Sequence, residues 1–298
     1  DEVILPSHTF VATGSAVAMV GATPVFADVG EDHMIDPDHV ASLVTERTRA
    51  LLPVQLNGRT CAMDRLGAIA EQHGLLLFED AAQGLGSAYR GRRAGSFGLA
   101  ASFSFYPAKL LGCFGDGGAI VTDDQGLAAR LRGLRDHGRV AGHDVAEWSF
   151  NSRLDNVQAA VLSLKLARFD EAIARRRTVA RLYHERLVEA FADREGFVLP
   201  PPPADDGDHF DVYQNYEIEV GPGRDELKAF LAERGIGTIV QWGGKAIHQF
   251  EALGFSDVHL PVTERVMAHS LLLPMNTFVS DDDVHYVADQ ILAWMEGR

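Results

Sequence analysis

Ser102-Phe103-Ser104-Phe105-Tyr106-Pro107-Ala108-Lys109-Leu110-Leu111-Gly112-Cys113-Phe114-Gly115-Asp116-Gly117-Gly118 is the stretch that decides the fold. The apolar run from Ala100 to Phe105 has the length of a buried strand and is bounded by the breaker Pro107. A glycine-rich turn follows, and Ala119 to Val121 resumes a strand. Between them stands Lys109, the only charged residue from Ala94 to Gly115. An ammonium among Phe103, Phe105, Tyr106, Leu110 and Phe114 is costly to keep charged, because desolvation lowers a lysine's pKa. The neutral amine is the form that condenses with a carbonyl. The same residues also suit a lysine that snorkels from a strand end, so other parts of the chain have to decide.

The neighbouring strands point the same way. Leu75-Leu76-Leu77-Phe78 runs straight into Glu79-Asp80-Ala81-Ala82-Gln83, and Val3 to Leu5 runs into Pro6-Ser7-His8-Thr9-Phe10. Val25 to Asp28 and Ala50 to Leu56 read as further strands. A small-residue helix through Val20 separates the first two, and Asp36 to Val44 is a helix with Asp36 as N-cap and Pro37 at its first position. Asp64 to His73 is another, ended by Gly74. Strands alternating with helices at this spacing predict a parallel sheet with helices on its faces. In such sheets the ligand site lies beyond the carboxyl ends of the strands, which brings Phe10, Asp80 and Lys109 to one rim. Glu79 beside Asp80 is no second acid at that site, because adjacent strand residues face opposite sides.

From Gln125 the chain turns more polar and helical. Leu127 to His137 is amphipathic, and Asn156 to Leu187 carries apolar residues at helical spacing, with Arg175-Arg176-Arg177 read as a solvated face. After the proline-rich connector at 200–208, Tyr213 to Val220 alternates like a half-buried strand. Arg224 to Arg234 is a helix, Thr238 to Trp242 a strand and Asp281 to Trp294 a terminal helix. The fold class is therefore α/β, with a mostly parallel sheet flanked by helices over residues 1–167 and a smaller α+β domain over 168–298.

A formal net charge of −15 argues against nucleic acid or an anionic membrane as partner. Any phosphate-bearing ligand must then be held locally, by backbone amides or a few placed cations. Cys61 and Cys113 form no disulfide framework, so a reducing cytoplasm is expected. No apolar run approaches the roughly 18 residues a bilayer span needs. The histidines show no metal-ligand spacing, and no metal is expected.

A lysine that captures aldehydes, with a carboxylate at the neighbouring strand end, is the chemistry of pyridoxal 5'-phosphate. Asp80 fits the carboxylate that keeps the ring nitrogen protonated, Phe10 the flat residue on the ring, and Ser104 with loop amides the phosphate cup. At this point the chain resembles the DegT/StrS-type aminotransferases, nucleotide-sugar members of the fold type I pyridoxal-phosphate transferases. The matching segments are Pro6-Ser7-His8-Thr9-Phe10-Val11-Ala12-Thr13, Gly21-Ala22-Thr23-Pro24-Val25-Phe26, Glu79-Asp80-Ala81-Ala82-Gln83 and Gly95-Ser96-Phe97-Gly98. Ser102 to Lys109, Gly115-Asp116-Gly117-Gly118, and Phe150-Asn151-Ser152-Arg153-Leu154-Asp155-Asn156 follow in the same order.

The resemblance implies that Lys109 holds the cofactor's aldehyde and shuttles the proton, Asp80 pairs with the ring nitrogen, and Gln83 sits by the ring hydroxyl. It implies that Phe10 stacks on the ring, Ser104 binds the phosphate, and Asn151 reaches the phosphate in the neighbouring subunit of a homodimer with shared active sites. Related sugar dehydratases carry histidine at position 109, so lysine there implies transamination. Family members carry several dozen residues before the segment matching Asp1, including a phosphate-binding turn, so this sequence is expected either to be a fragment or to lack that segment. In the loop Gln241 to Phe250, Lys245 could meet a diphosphate and His248 a sugar hydroxyl or the cofactor region, or Lys245 is an ordinary surface-loop lysine and His248 a core-edge histidine. The implied reaction moves an amino group from glutamate or glutamine to a keto-sugar nucleotide, with a 4-keto-6-deoxyhexose favoured. The alternatives are a keto-cyclitol aminotransferase of the scyllo-inosose type and a non-catalytic cofactor-binding regulatory protein.

Overall fold

The computed structural model describes residues 1–141, 144–192 and 194–297. The strands in chain order begin with β1 (Glu2–Pro6), β2 (Thr23–Ala27), β3 (Thr48–Leu51), β4 (Leu76–Asp80), β5 (Ala88–Tyr89) and β6 (Arg92–Arg93). They continue with β7 (Ala100–Ser104), β8 (Gly118–Val121), β9 (Phe197–Val198), β10 (His209–Phe210), β11 (Tyr216–Val220) and β12 (Ser270–Leu273). The helices are α1 (Val11–Met19), α2 (Pro37–Leu43), α3 (Met63–His73), α4 (Gln125–Leu134) and α5 (Asn156–Leu166). Then come α6 (Phe169–Ala192), α7 (Arg224–Ala232), α8 (Pro261–His269) and α9 (Asp281–Glu296).

A six-stranded sheet in the order β2-β1-β3-β4-β7-β8 carries the first half of the chain. Its strands are parallel except β8, which runs antiparallel to β7. Local chemistry sets the ends of its helices. The Asp36 carboxylate accepts from the Asp38 amide at 2.9 Å to start α2, and Gly74, at φ 64°, closes α3 in a conformation glycine adopts without strain. The pairing of Phe78 with Ala100 and Asp80 with Ser102 puts those four residues on one face, with Glu79 and Ala101 on the other.

One core, built from residues such as Ile4, Leu51, Met63 and Leu66, joins the sheet to α2 and α3. A second core holds the antiparallel sheet β12-β11-β9 against α6, α7 and α9 through Tyr183, Tyr216, Leu227 and Ile291. Burying each such side chain contributes about 1.5–3 kcal/mol. A smaller cluster crosses between the halves, setting Ile247 and Leu260 against Leu5, Val17 and Phe26.

Several sequence expectations change, among them the half-buried strand over Tyr213 to Val220, where β11 is buried at every position because Glu217 and Glu219 turn inward. The helical pattern over Asn156 to Leu187 is two helices, α5 and α6, parted at Ala167 and Arg168. Thr238 to Trp242 is no strand: Ile239 makes a lone bridge to Leu272, and Trp242 (φ 46°) and Gly243 (φ 73°) turn left-handed, which no strand accommodates. Most informative is the arginine run. Arg176 and Arg177 are buried, because the segment at 204–214 crosses α6 and offers its carbonyls to them. Among the described residues no helix is long and apolar enough to cross a membrane.

Candidate active site

The Lys109 loop folds back on itself at the end of β7. The Lys109 amide donates to the Tyr106 carbonyl at 2.8 Å. A Cβ on Gly112 would lie 2.6 Å from the carbonyl oxygens of both Tyr106 and Pro107, so only glycine lets the loop close. Gln214, from the segment leading into β11, braces the loop from outside. Its Oε1 accepts from the Leu110 amide at 2.7 Å and its Nε2 donates to the Ala108 carbonyl at 2.8 Å. The Lys109 side chain is half-buried, and this desolvation pulls its pKa below the ordinary lysine value while the charge of Asp80 opposes the shift. The amine is thus partly withdrawn from water and electrostatically coupled to Asp80.

Asp80 ends β4 with its carboxylate anchored twice. Thr13, on the first turn of α1, donates to Oδ2 at 2.7 Å, and the Ala82 amide donates to Oδ1 at 3.1 Å. The Thr9 and Thr13 hydroxyls lie 2.9 Å apart. A carboxylate only accepts, so the Thr13 proton is committed to Asp80 and Thr9 donates to Thr13. Both threonines are buried. Glu79 faces the other way and is spent on structure, accepting from Gln55 and from the amides of Gly95, Phe97 and Gly98. A cleft of about 460 Å³ opens along the Asp80 face, with Thr13, Ser102 and Ser104 on its wall. Lys109 borders a wider opening of about 720 Å³ together with Lys165, Arg168 and Arg175.

The remaining residues singled out in the sequence fall in different places. Ser104 ends β7, where its oxygen accepts from the Tyr106 amide at 3.2 Å and its own proton stays available. Phe10, 56% exposed, is the N-cap residue of α1, three residues before Thr13. Gln83 turns its amide oxygen toward Asn57, accepting that residue's backbone N–H at 2.9 Å, with the Asn215 Nδ2 at 3.3 Å. Only its amino end is left for a ligand.

Asn151 is exposed, bridges to Asp136 through its backbone and accepts from Arg153 Nε at 2.9 Å. Lys245 is exposed. His248 is 3% exposed, with Nδ1 at 2.8 Å from the Ser7 hydroxyl and Nε2 at 3.2 Å from Glu264 Oε1. Burial lowers its pKa against the pull of Glu264. Asp80 and Ser104 share one cleft at the carboxyl ends of β4 and β7, and Lys109 borders a second opening and is coupled to Asp80 through charge; no hydrogen bond joins Asn151, Lys245 or His248 to them among the described residues.

Sequence reasoning passes over two groups that hold this rim. Thr13 carries a faint signal, one helical turn from Thr9. Gln214 carries none, since its partners lie more than a hundred residues away. Nor does the sequence point to the charge cluster where the two sheets meet. His33 places Nδ1 3.0 Å from Glu217 Oε2 and Nε2 3.0 Å from Glu219 Oε1. Both partners are acceptors, so both ring nitrogens must carry hydrogen. The two carboxylates outweigh the cost of burial and raise the His33 pKa to about 10, while His8 and His33 hold Glu217 well below the usual carboxylate range.

The profile of the DegT/DnrJ/EryC1/StrS aminotransferase family matches residues 1–292. A dTDP-3-amino-3,4,6-trideoxy-alpha-D-glucose transaminase of Streptomyces venezuelae is 42% identical over 300 residues, covering 99% of this chain and 77% of the relative. A pleiotropic regulatory protein of Geobacillus stearothermophilus is 41% identical over 294 residues, covering 98% and 77%. Among solved structures, S. venezuelae DesV in complex with a ketimine intermediate superposes with a TM-score of 0.91 at 41% identity, covering 99% of this chain and 78% of that one. The fold expected from the sequence, a mostly parallel sheet flanked by helices, is the one these relatives share. The chain belongs to the DegT/DnrJ/EryC1/StrS aminotransferase family, a family of sugar aminotransferases.

Proposed function

We propose that this chain is a pyridoxal 5'-phosphate-dependent transaminase that moves an amino group from glutamate or glutamine to the ketone of a nucleotide-linked sugar. The observation that carries the reading is the partly desolvated Lys109 amine coupled to Asp80, whose carboxylate is fixed by Thr13 and the Ala82 amide. The donor set suits the cofactor: an amine that loses its proton easily, an anchored carboxylate with lone pairs to spare, and the Ser104 hydroxyl at a strand end. Once bound, the cofactor supplies an aldehyde that receives the amino group and a ring that withdraws electrons from the reacting carbon. Asp80 keeps a proton on the ring nitrogen, and Gln83 offers its amino group to the ring oxygen. Phe10 covers a ring face, and Ser104 donates to the phosphate. Lys109 Nζ holds the cofactor at rest, takes the proton from the donor's α-carbon, and returns one to the sugar carbon that accepts nitrogen.

We take residues 1–167 as the cofactor-binding domain and 168–298 as the smaller domain that closes over the substrate, with Lys245 as a contact for the diphosphate. His248 serves the substrate through the position it gives Ser7 and the loop around it. A second copy of the chain would cover the exposed Trp148 and Phe150 and bring its Asn151 to the phosphate. Cys61 and Cys113 are buried free thiols, which suits a reducing cytoplasm.

The test is to purify the chain with pyridoxal phosphate and glutamate or glutamine, and to analyse products by mass spectrometry over a panel of keto-sugar nucleotides. The name of the Streptomyces relative puts its amino group on carbon 3, so the panel includes 3-keto as well as 4-keto sugars, and scyllo-inosose. Amination of a nucleotide sugar supports the proposal, and amination of scyllo-inosose alone replaces it. The name of the Geobacillus relative favours a second reading, a regulator that binds the cofactor without turnover. Cofactor uptake with no product from any acceptor would establish that one.

A further inference from the structure

We propose that Gln214 is a positioning residue for Lys109: its side-chain amide grips the peptide groups on both sides of the lysine and sets where the amine stands. The inference rests on the role proposed above for Lys109. The grip is two-sided, because Oε1 accepts from the Leu110 amide at 2.7 Å and Nε2 donates to the Ala108 carbonyl at 2.8 Å. Only a side chain with an acceptor and a donor side by side can make both bonds. Gln214 is itself held. It is 7% exposed, and Arg176 Nη1 donates to the backbone carbonyls of Tyr213 and Gln214 at 3.0 Å each.

Arg176 is buried in the middle of α6, where desolvation lowers its pKa to about 10. A guanidinium in such a place has to be matched by acceptors, and here the acceptors are the backbone that carries Gln214. The run is Arg176, the 213–214 backbone, the Gln214 amide, and the peptide groups flanking Lys109. It ties the long helix α6 and the segment leading into β11 to one side chain at the rim. Without it the loop has its own Tyr106–Lys109 turn, and the amine could swing into the wide opening beside it.

The experiment reads the Lys109 amine directly. Protein free of cofactor is labelled with an amine-reactive acylating reagent across a pH series, and peptides bearing Lys109 and the exposed Lys245 are quantified by mass spectrometry. In the wild type Lys109 labels at lower pH than an ordinary lysine. In Gln214→Met, which keeps the volume and loses both bonds, the Lys109 profile moves up toward that of an ordinary amine. Gln214→Asn, which keeps the side-by-side donor and acceptor one methylene shorter, moves it part of the way back.

Arg177→Met is the control for general loosening. It removes bonds to the carbonyls of Ala204 and Asp211 and leaves the Lys109 loop alone, so its Lys109 profile stays where the wild type has it. A Gln214→Met profile identical to wild type overturns the proposal, as does one that Arg177→Met reproduces. Should Gln214→Met not fold, hydrogen exchange on the wild type decides. The Leu110 amide is slowed at least about tenfold relative to an open loop amide if Gln214 holds it, and exchange at the open-loop rate overturns the grip. The labelling uses no cofactor and no substrate, so an enzyme that fails to transaminate would sink the proposed reaction and leave this result standing.

Discussion

Two of the places where this protein keeps charge away from water are built in opposite ways. Where the two sheets meet, His33 is gripped by Glu217 and Glu219, Asn57 adds a hydrogen bond to Glu217 at 2.7 Å, and Arg265 lies 3.6 Å from Glu219. There the charges answer one another: Glu217 Oε1 makes no hydrogen bond but lies 3.7 Å from His8 Nε2, and the cavity beside it holds only about 40 Å³. At the rim, Asp80 takes one O–H and one N–H and has accepting capacity left, while the Lys109 amine has no hydrogen-bond partner among the described residues. Burial of charge is common to both, so burial alone does not mark a site. What distinguishes the rim is unspent capacity beside wide open space, about 460 Å³ along Asp80 and about 720 Å³ beside Lys109. One expectation divides the two places: changes at the rim cost activity and little stability, and changes at the seam cost stability first.

The largest effect belongs to Lys109→Ala. If Lys109 moves the proton as proposed, its removal lowers transamination by about a thousandfold or more, and borohydride no longer fixes cofactor to this position, as peptide mass spectrometry would report. The folded state meanwhile loses a half-desolvated amine with no partner, so its stability in urea changes by no more than about 0.5 kcal/mol. A variant that unfolds readily would place Lys109 with the structural charges and erase the distinction.

Glu217→Ala is the counterpart at the seam. It leaves His33 with Glu219 alone and empties buried volume, and losing one member of a buried ion pair costs about 3 kcal/mol. Denaturant unfolding measures this. The variant should hold nearly normal cofactor affinity at temperatures where it stays folded. A stable Glu217→Ala protein with a weakened cofactor would show that the seam reports to the rim.

The rim is readable from the chain because its parts come as short local patterns. An apolar strand ending in Glu79-Asp80 and one ending before Lys109 suffice, through the period of two along a strand and the rule that ligands sit at carboxyl ends. The seam is not readable that way. His33 stands in a turn at a left-handed φ of 64°, and its partners arrive from 184 and 186 residues later, on a strand whose alternation predicts outward-facing carboxylates. The arginine run teaches the same lesson. Three basic residues on a helix read as a wet face, and only the crossing segment at 204–214 turns Arg176 and Arg177 inward. For His248 the sequence offers a core-edge position as one alternative, but not that Ser7 and Glu264 close on its two nitrogens. Local pattern carries the strands and their ends; which polar group meets which distant partner depends on how the second sheet docks.

The seam also predicts how stability depends on pH. The folded pKa of His33 is raised to about 10, against roughly 6.5 in an unfolded chain. Between those values the folded state binds the extra proton, so stability falls as pH rises. The contribution is whole below about pH 6.5 and gone above about pH 10. Glu217 acts in the other sense: its lowered pKa gives stability that is present above the ordinary glutamate range and lost on acidification. Thermal unfolding from pH 6 to 10 should therefore show a decline that His33→Leu flattens, since that variant replaces the titrating ring by an apolar group. An unchanged slope in the variant would assign the decline to other groups.

The smallest effect is expected at Lys245, which tests the contrast within one loop. Lys245 and His248 are three residues apart, yet one is exposed and the other buried with both ring nitrogens engaged. Lys245→Ala removes no packing and leaves the unfolding midpoint unmoved. Its ammonium can act on a diphosphate only through solvent, where a single charge is worth at most about 1 kcal/mol and is screened by salt. The apparent KM for a nucleotide sugar should rise a few-fold at low ionic strength, kcat should stay the same, and the difference should fade as salt is added. His248→Ala should show the reverse pattern, a lower unfolding midpoint with a salt-independent loss, because it breaks bonds to Ser7 and Glu264. Were Lys245→Ala to abolish turnover, an exposed charge would be acting as an unspent one, and open space beside a charge, rather than partial burial, would become the sign of function in this loop.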